Sequence, residues 1–151
     1  MTAIRHVRDD GGRAAAGYKG TTGDCVTRAI AIATGRDYAD VYDELFDRKC
    51  EFGQGRSAAA RAAAKNPSPR NGVHKQVIRE YLADHGWEWT PTMTVGSGCR
   101  VHLRADELPP GRLIVRLSRH LAAVIDGVLY DTHDCSRDGT RCVYGYWQPE
   151  G

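Results

Sequence analysis

The chain has 151 residues, 41% of them hydrophobic, and its 21 Lys plus Arg against 19 Asp plus Glu leave a formal net charge of +2. That length suits a single domain with a sizeable core, and so even a balance of charge gives no reason to expect an acidic partner. No apolar run approaches the roughly 18 residues that suggest a membrane span, and the first ten residues lack the apolar stretch of a signal peptide. The expected protein is cytoplasmic, with no membrane partner. Its five cysteines, Cys25, Cys50, Cys99, Cys135 and Cys142, are odd in number and scattered. That pattern suits free thiols in a reducing compartment better than a disulfide framework.

In chain order, a polar, turn-prone run, Gly20-Thr21-Thr22-Gly23-Asp24, leads into an apolar stretch from Cys25 to Thr34 that reads as a helix, with Gly35 as its stop. Asp37 can cap a second helix from 38 to about 48, in which Val41, Tyr42, Leu45 and Phe46 recur at helical spacing. The Ala-rich segment 57–65 reads as helical and is broken by Pro, Asn and Gly over 66–72. A further helix runs from about 73 to 85, its apolar face made by Val73, Val77, Ile78, Tyr81 and Leu82. Residues 87–95 read as a strand, and Pro91 argues for an edge position. A short helical turn is expected over 104–108.

The last third reads as β. Leu113 to Leu117 is a strand, and His120 to Asp131 is a tight hairpin, because Asp126-Gly127 is a strong two-residue turn signal between apolar runs. Residues 142–147 supply a closing strand. Helices first and an antiparallel sheet afterwards make an α+β pattern.

The hairpin carries a geometric consequence. With Asp126 and Gly127 at the turn, Ile125 opposes Val128, Val124 opposes Leu129 and Ala122 opposes Asp131. Side chains two apart share a face, so His120, Ala122, Val124, Leu129 and Asp131 point the same way. His120 and Asp131 become diagonal neighbours, roughly 7–8 Å apart at the backbone. Asp126 lies on the order of 20 Å along the strand. Asp131 is therefore the carboxylate to orient His120. The same register places His133 opposite His120 as a competing imidazole.

These residue types supply the parts of acyl transfer. A thiol at a helix N-terminus meets unpaired N–H groups and the positive end of the dipole, both of which favour thiolate. A histidine takes the thiol proton and returns it to the leaving amine, and a carboxylate holds the imidazole in the working tautomer. The Cys25 N–H is a natural oxyanion donor. Lys19, Thr21 and Thr22 in the preceding loop compete to supply a second. Asp24 repels a thiolate, and its expected role is to cap the helix or tether the loop.

The segment Gly23-Asp24-Cys25-Val26-Thr27-Arg28-Ala29-Ile30-Ala31-Ile32-Ala33-Thr34-Gly35, followed by Tyr38, resembles the nucleophile helix of small papain-like cysteine peptidase-fold proteins of bacterial and phage type. The block from Arg116 to Gly127, with Tyr130 and Asp131, resembles their histidine strand and acidic partner. The resemblance spans about residues 18–147, with these two blocks as its specific parts. It implies one papain-like domain over 1–151 with the nucleophile helix first. Cys25 would be the nucleophile, His120 the general base and Asp131 its orienting group, with a peptide or protein substrate. Papain's oxyanion glutamine has no counterpart before Cys25, aspartate stands where papain has asparagine, and the Cys-to-His spacing is shorter.

Two other readings stand beside the hydrolase. One is a catalytically inactive papain-fold protein that binds a phage or bacterial partner. The other is a nucleic-acid module using Arg56, Arg61, Lys65, Arg70 and Lys75, a stretch with no acid but also no aromatic side chain for base stacking. No nucleic acid is expected on that account. Cys135, Cys142 and His133 match no short zinc spacing, so neither metal nor cofactor is expected, and Cys135 and Cys142 read as two free thiols on a hairpin.

Overall fold

The computed structural model describes residues 4–18, 24–65, 68–69, 73–94 and 96–150. Strand β1 is Arg5–Arg8, followed by helices α1 (Cys25–Thr34), α2 (Tyr38–Phe52), α3 (Ala58–Lys65) and α4 (Lys75–Asp84). Strands β2 (Trp87–Pro91), β3 (Arg112–Leu117), β4 (His120–Ile125), β5 (Val128–Asp131) and β6 (Gly145–Pro149) complete the chain. The strands form one six-stranded sheet in the order β1-β5-β4-β3-β6-β2. The architecture is α+β, and among the described residues no helix is long and apolar enough to cross a membrane.

The sheet departs from the antiparallel expectation at one edge. β1 pairs parallel with β5, Arg5 opposite Val128 through Arg8 opposite Asp131. The short, charge-rich sequence Arg5-His6-Val7-Arg8 has no strand signature of its own, and long-range pairing recruits it. At the opposite edge β2 pairs with β6 and ends at Pro91, where a missing N–H does least harm. The hairpin register is as the turn dictates: Ile125 faces Val128 and Val124 faces Leu129. Asp126 and Gly127 both take positive φ, 49° and 76°, the geometry that favours Asp-Gly in a two-residue connection.

Helix limits shift in explicable ways. α2 runs a turn beyond the expected stop, and Phe52 at its end stacks on His74. α4 starts at Lys75 because His74 caps it, its Nδ1 accepting the Gln76 N–H at 3.1 Å. Asp37 occupies the N-cap of α2, but its side chain makes no capping bond. Gly35 closes α1 in the left-handed region, φ 73°, its N–H bonded to the Ala31 carbonyl. Residues 104–108 form a turn closed by the Glu107 N–H on the Arg104 carbonyl.

One core lies between the helices and one face of the sheet, joining Ala29, Ile30 and Ala33 of α1 to Leu121 and Ala123 of β4. The other lies beneath loops on the opposite face and holds Leu103, Leu113, Val115, Ala122, Val124, Leu129 and Cys135. β4 is thus covered on both sides, and the small Ala123 on its helix-facing side lets α1 approach closely. Burial nearly all round explains the small, apolar composition of α1.

Cys99 and Cys142 form a disulfide across 43 residues. Cys25, Cys50 and Cys135 are free, and Cys135 is buried. The expectations of five free thiols and of a Cys135–Cys142 thiol pair therefore fail, and with them goes the cysteine argument for a reducing cytoplasm. The reason is long-range: His102 and Cys142 meet in an isolated antiparallel bridge, which brings the 99–103 segment beside 141–143. The closing strand accordingly begins at Gly145 rather than at 142.

Gly145 has no room for a side chain. A Cβ there would overlap the Trp89 ring, which packs on Trp147 with centroids 4.3 Å apart. Gly145→Ala is expected to lower stability by about 1–3 kcal/mol through overpacking. The urea midpoint checks this, and a change in tryptophan fluorescence should accompany it.

Candidate active site

Cys25 is the first residue of α1, so its N–H is among the donors that a helix leaves unpaired. His120 opens β4 and Asp131 closes β5, which places both at the same end of the sheet, beside the N-terminus of α1. His120 Nε2 donates to Asp131 Oδ2 at 2.6 Å. The ring also lies close enough to the Cys25 sulfur for each group to bias the other's ionisation. Thus Cys25, His120 and Asp131 gather at one place, contributed by a helix, a strand and the adjoining strand.

The electrostatics favour an ion pair. Burial pushes the Cys25 thiol up. The neighbouring His120 ring and its positive charge, the Leu121 N–H and the charge of Arg28 together outweigh it and hold the thiol below its ordinary value. Burial alone would pull His120 down, yet its bond to Asp131 and the neighbouring Cys135 and Cys25 sulfurs raise its pKa to about 11. Burial likewise raises Asp131, and the His120 bond and charge, the Thr132 N–H and Arg28 reverse this and keep it below the usual carboxylate range. A thiolate facing an imidazolium that leans on an ionised carboxylate is the arrangement these shifts describe.

Asp24 does not face this ion pair as an uncompensated charge. It is fully buried, and it accepts from Arg28 Nη1 at 2.5 Å and from the Tyr38 hydroxyl at 2.6 Å. Arg13 Nε stands 3.3 Å away. Its side chain makes no helix-capping bond, so of the two roles expected for it, tethering is the one the contacts support. Burial and the bond to Asp24 hold the Tyr38 phenol well above its ordinary range. Arg28, 8% exposed, links Asp24 to the site, because its Nη2 lies 3.6 Å from Asp131 Oδ1.

The oxyanion candidates Lys19, Thr21 and Thr22 lie outside the described residues. Asp126 sits at the far end of the hairpin, where its carboxylate accepts the Gly111 N–H at 2.8 Å. His133 is exposed, its ring centroid is 5.6 Å from that of His120, and its Nδ1 faces the Thr132 hydroxyl at 3.4 Å. His120 is the imidazole bonded to the Asp131 carboxylate and adjoining the Cys25 sulfur. A metal, if one binds near this site, would find ligands in His120, Asp131 and His133.

Three participants escaped the sequence reading. Arg28 carried a signal: an arginine inside an apolar helix, four residues after an aspartate, is placed for an i,i+4 pair. Cys135, whose sulfur is near enough to the His120 ring to raise its pKa, reaches the site through a loop. His6, whose Nε2 donates to the Asp131 carbonyl at 2.9 Å, arrives with the unforeseen β1. Neither carried a local signal. No family model matches this chain, and no match was found among curated proteins or solved structures.

Proposed function

We propose that this chain is a papain-like cysteine hydrolase that cleaves a peptide, isopeptide or other amide bond through a thioester acyl-enzyme. The observation that carries the reading is the cluster of Cys25, His120 and Asp131, in which His120 is bonded to Asp131 at 2.6 Å beside a depressed thiol and is itself a raised imidazole. The Cys25 thiolate attacks the substrate carbonyl carbon, and the carbonyl π electrons move onto oxygen. The Cys25 N–H stabilises that oxyanion. As the tetrahedral intermediate collapses, the C–N bond breaks and His120 delivers its proton to the departing nitrogen. Water then adds to the thioester while His120 takes one of its protons. Collapse expels the Cys25 thiolate, releasing the acid and restoring the ion pair. Asp131 stays ionised and holds the ring.

The test is an activated ester, p-nitrophenyl acetate, followed by peptide mapping. Wild type should give a burst of nitrophenol and an acetyl group on Cys25 that is lost with time. Absence of that adduct, or an adduct as stable in wild type as in His120→Ala, would overturn the proposal. Within the same assay, Asp131→Asn should slow deacylation by about tenfold or more, as a fraction of what a positioned acid–base contributes. Asp126→Asn should leave the rate near wild type and act on the turn alone. The reverse ranking would show the wrong carboxylate was assigned.

A further inference from the structure

We propose that His120, Asp131 and His133 form a binding site for one divalent transition-metal ion of the zinc type, and that the bound metal draws His120 away from Cys25. The second half rests on the hydrolase reading above; the first half stands without it. One ligand atom from each of the three side chains lies within 4.8 Å of the other two. Two imidazoles and a carboxylate are a donor set suited to Zn2+, which takes three protein ligands and leaves a fourth position open in many sites. The contraction to metal–ligand distances of about 2.0–2.2 Å falls mainly on His133, which is exposed and whose Nδ1 lies 3.4 Å from the Thr132 hydroxyl.

The surroundings resemble a supporting shell. The Thr132 N–H donates to Asp131 Oδ1 at 2.7 Å and fixes the carboxylate. His6 Nε2 anchors the Asp131 carbonyl at 2.9 Å. Such outer contacts orient ligands toward a metal. Arg28, 3.6 Å from Asp131, opposes a cation, but its charge is engaged by Asp24 at 2.5 Å, and the Asp134 carboxylate lies close enough to His133 and His6 to feel their charge. Three of the chain's six histidines gather around Asp131. The hydrolase mechanism needs only one of them.

A metal on His120 occupies the ring that the thiolate requires, so binding and thiol reactivity are coupled. The 151-residue chain is titrated with Zn2+ alone against a chromophoric chelator, and Cys25 labelling by iodoacetamide is followed by mass spectrometry with and without the metal. Wild type should bind one equivalent. His133→Ala should weaken binding by about tenfold or more while leaving metal-free Cys25 labelling unchanged. Saturating Zn2+ should slow Cys25 labelling in wild type, and the same concentration should spare His133→Ala. The site is refuted if wild type fails to compete with the chelator, if His133→Ala binds as wild type does, or if Cys25→Ser alone removes binding. Zn2+ that binds without protecting Cys25 overturns the coupling. The hydrolase reading fails separately, if metal-free Cys25 labels no faster than Cys50.

Discussion

His120→Ala is expected to abolish most of the reactivity of Cys25 near neutral pH. A positioned acid–base contributes about 10²–10⁴ in rate, and here the neighbouring ring and its charge also hold the thiol down. With the ring gone, burial remains and pushes the thiol up. Wild-type Cys25 should alkylate well below the ordinary thiol range, faster than exposed Cys50 and buried Cys135. In the variant its labelling should fall sharply and recover only as pH rises through and beyond that range. Iodoacetamide labelling read by mass spectrometry across pH checks this. Equal labelling of the three thiols in wild type would show that Cys25 is not a poised nucleophile. Stability follows the same linkage. His120 is raised from 6.5 to about 11, so its contribution is fully present below pH 6.5 and is lost as pH climbs through 11. Asp131 is lowered from 3.8, so its contribution is present above that value and is lost as pH falls through its folded pKa.

Arg28→Met is expected to cost about 3 kcal/mol, the low end of what breaking a buried ion pair costs. Asp24 and Asp131 are 0% and 3% exposed, and Arg28 is the cation that reaches both. The loss is held toward the low end because Asp24 keeps Arg13 and Tyr38 and Asp131 keeps His120. The denaturant midpoint measures it. Asp24→Asn added to Arg28→Met should recover part of the loss, since the orphaned carboxylate is then neutral, and the double-mutant cycle isolates the pair. A loss below about 0.5 kcal/mol, the usual size for surface substitutions, would show that Arg28 is not the keystone of this network. Because Arg28 also favours the Cys25 thiolate, the variant should react more slowly at Cys25 at a given pH.

What the amino-acid sequence determined by itself was local. The Asp126-Gly127 turn dictates the hairpin register, since both residues must accept positive φ, and the register brings His120 to Asp131 without reference to the rest of the chain. The passage from a polar turn to an apolar run places the start of α1 at Cys25. The tertiary structure decided whatever depends on segments distant in sequence. β1 becomes a strand by pairing with β5 more than a hundred residues later, and four residues without alternation cannot announce that. Cys99 finds Cys142 because the His102–Cys142 bridge draws their segments together, and cysteine spacing does not encode a pairing. The neutralisation of Asp24 needs Arg13, Arg28 and Tyr38 folded around one buried carboxylate. The sequence shows only a carboxylate beside a thiol; burial, which strengthens each of those attractions and penalises any charge left unpaired, is a property of the packed chain.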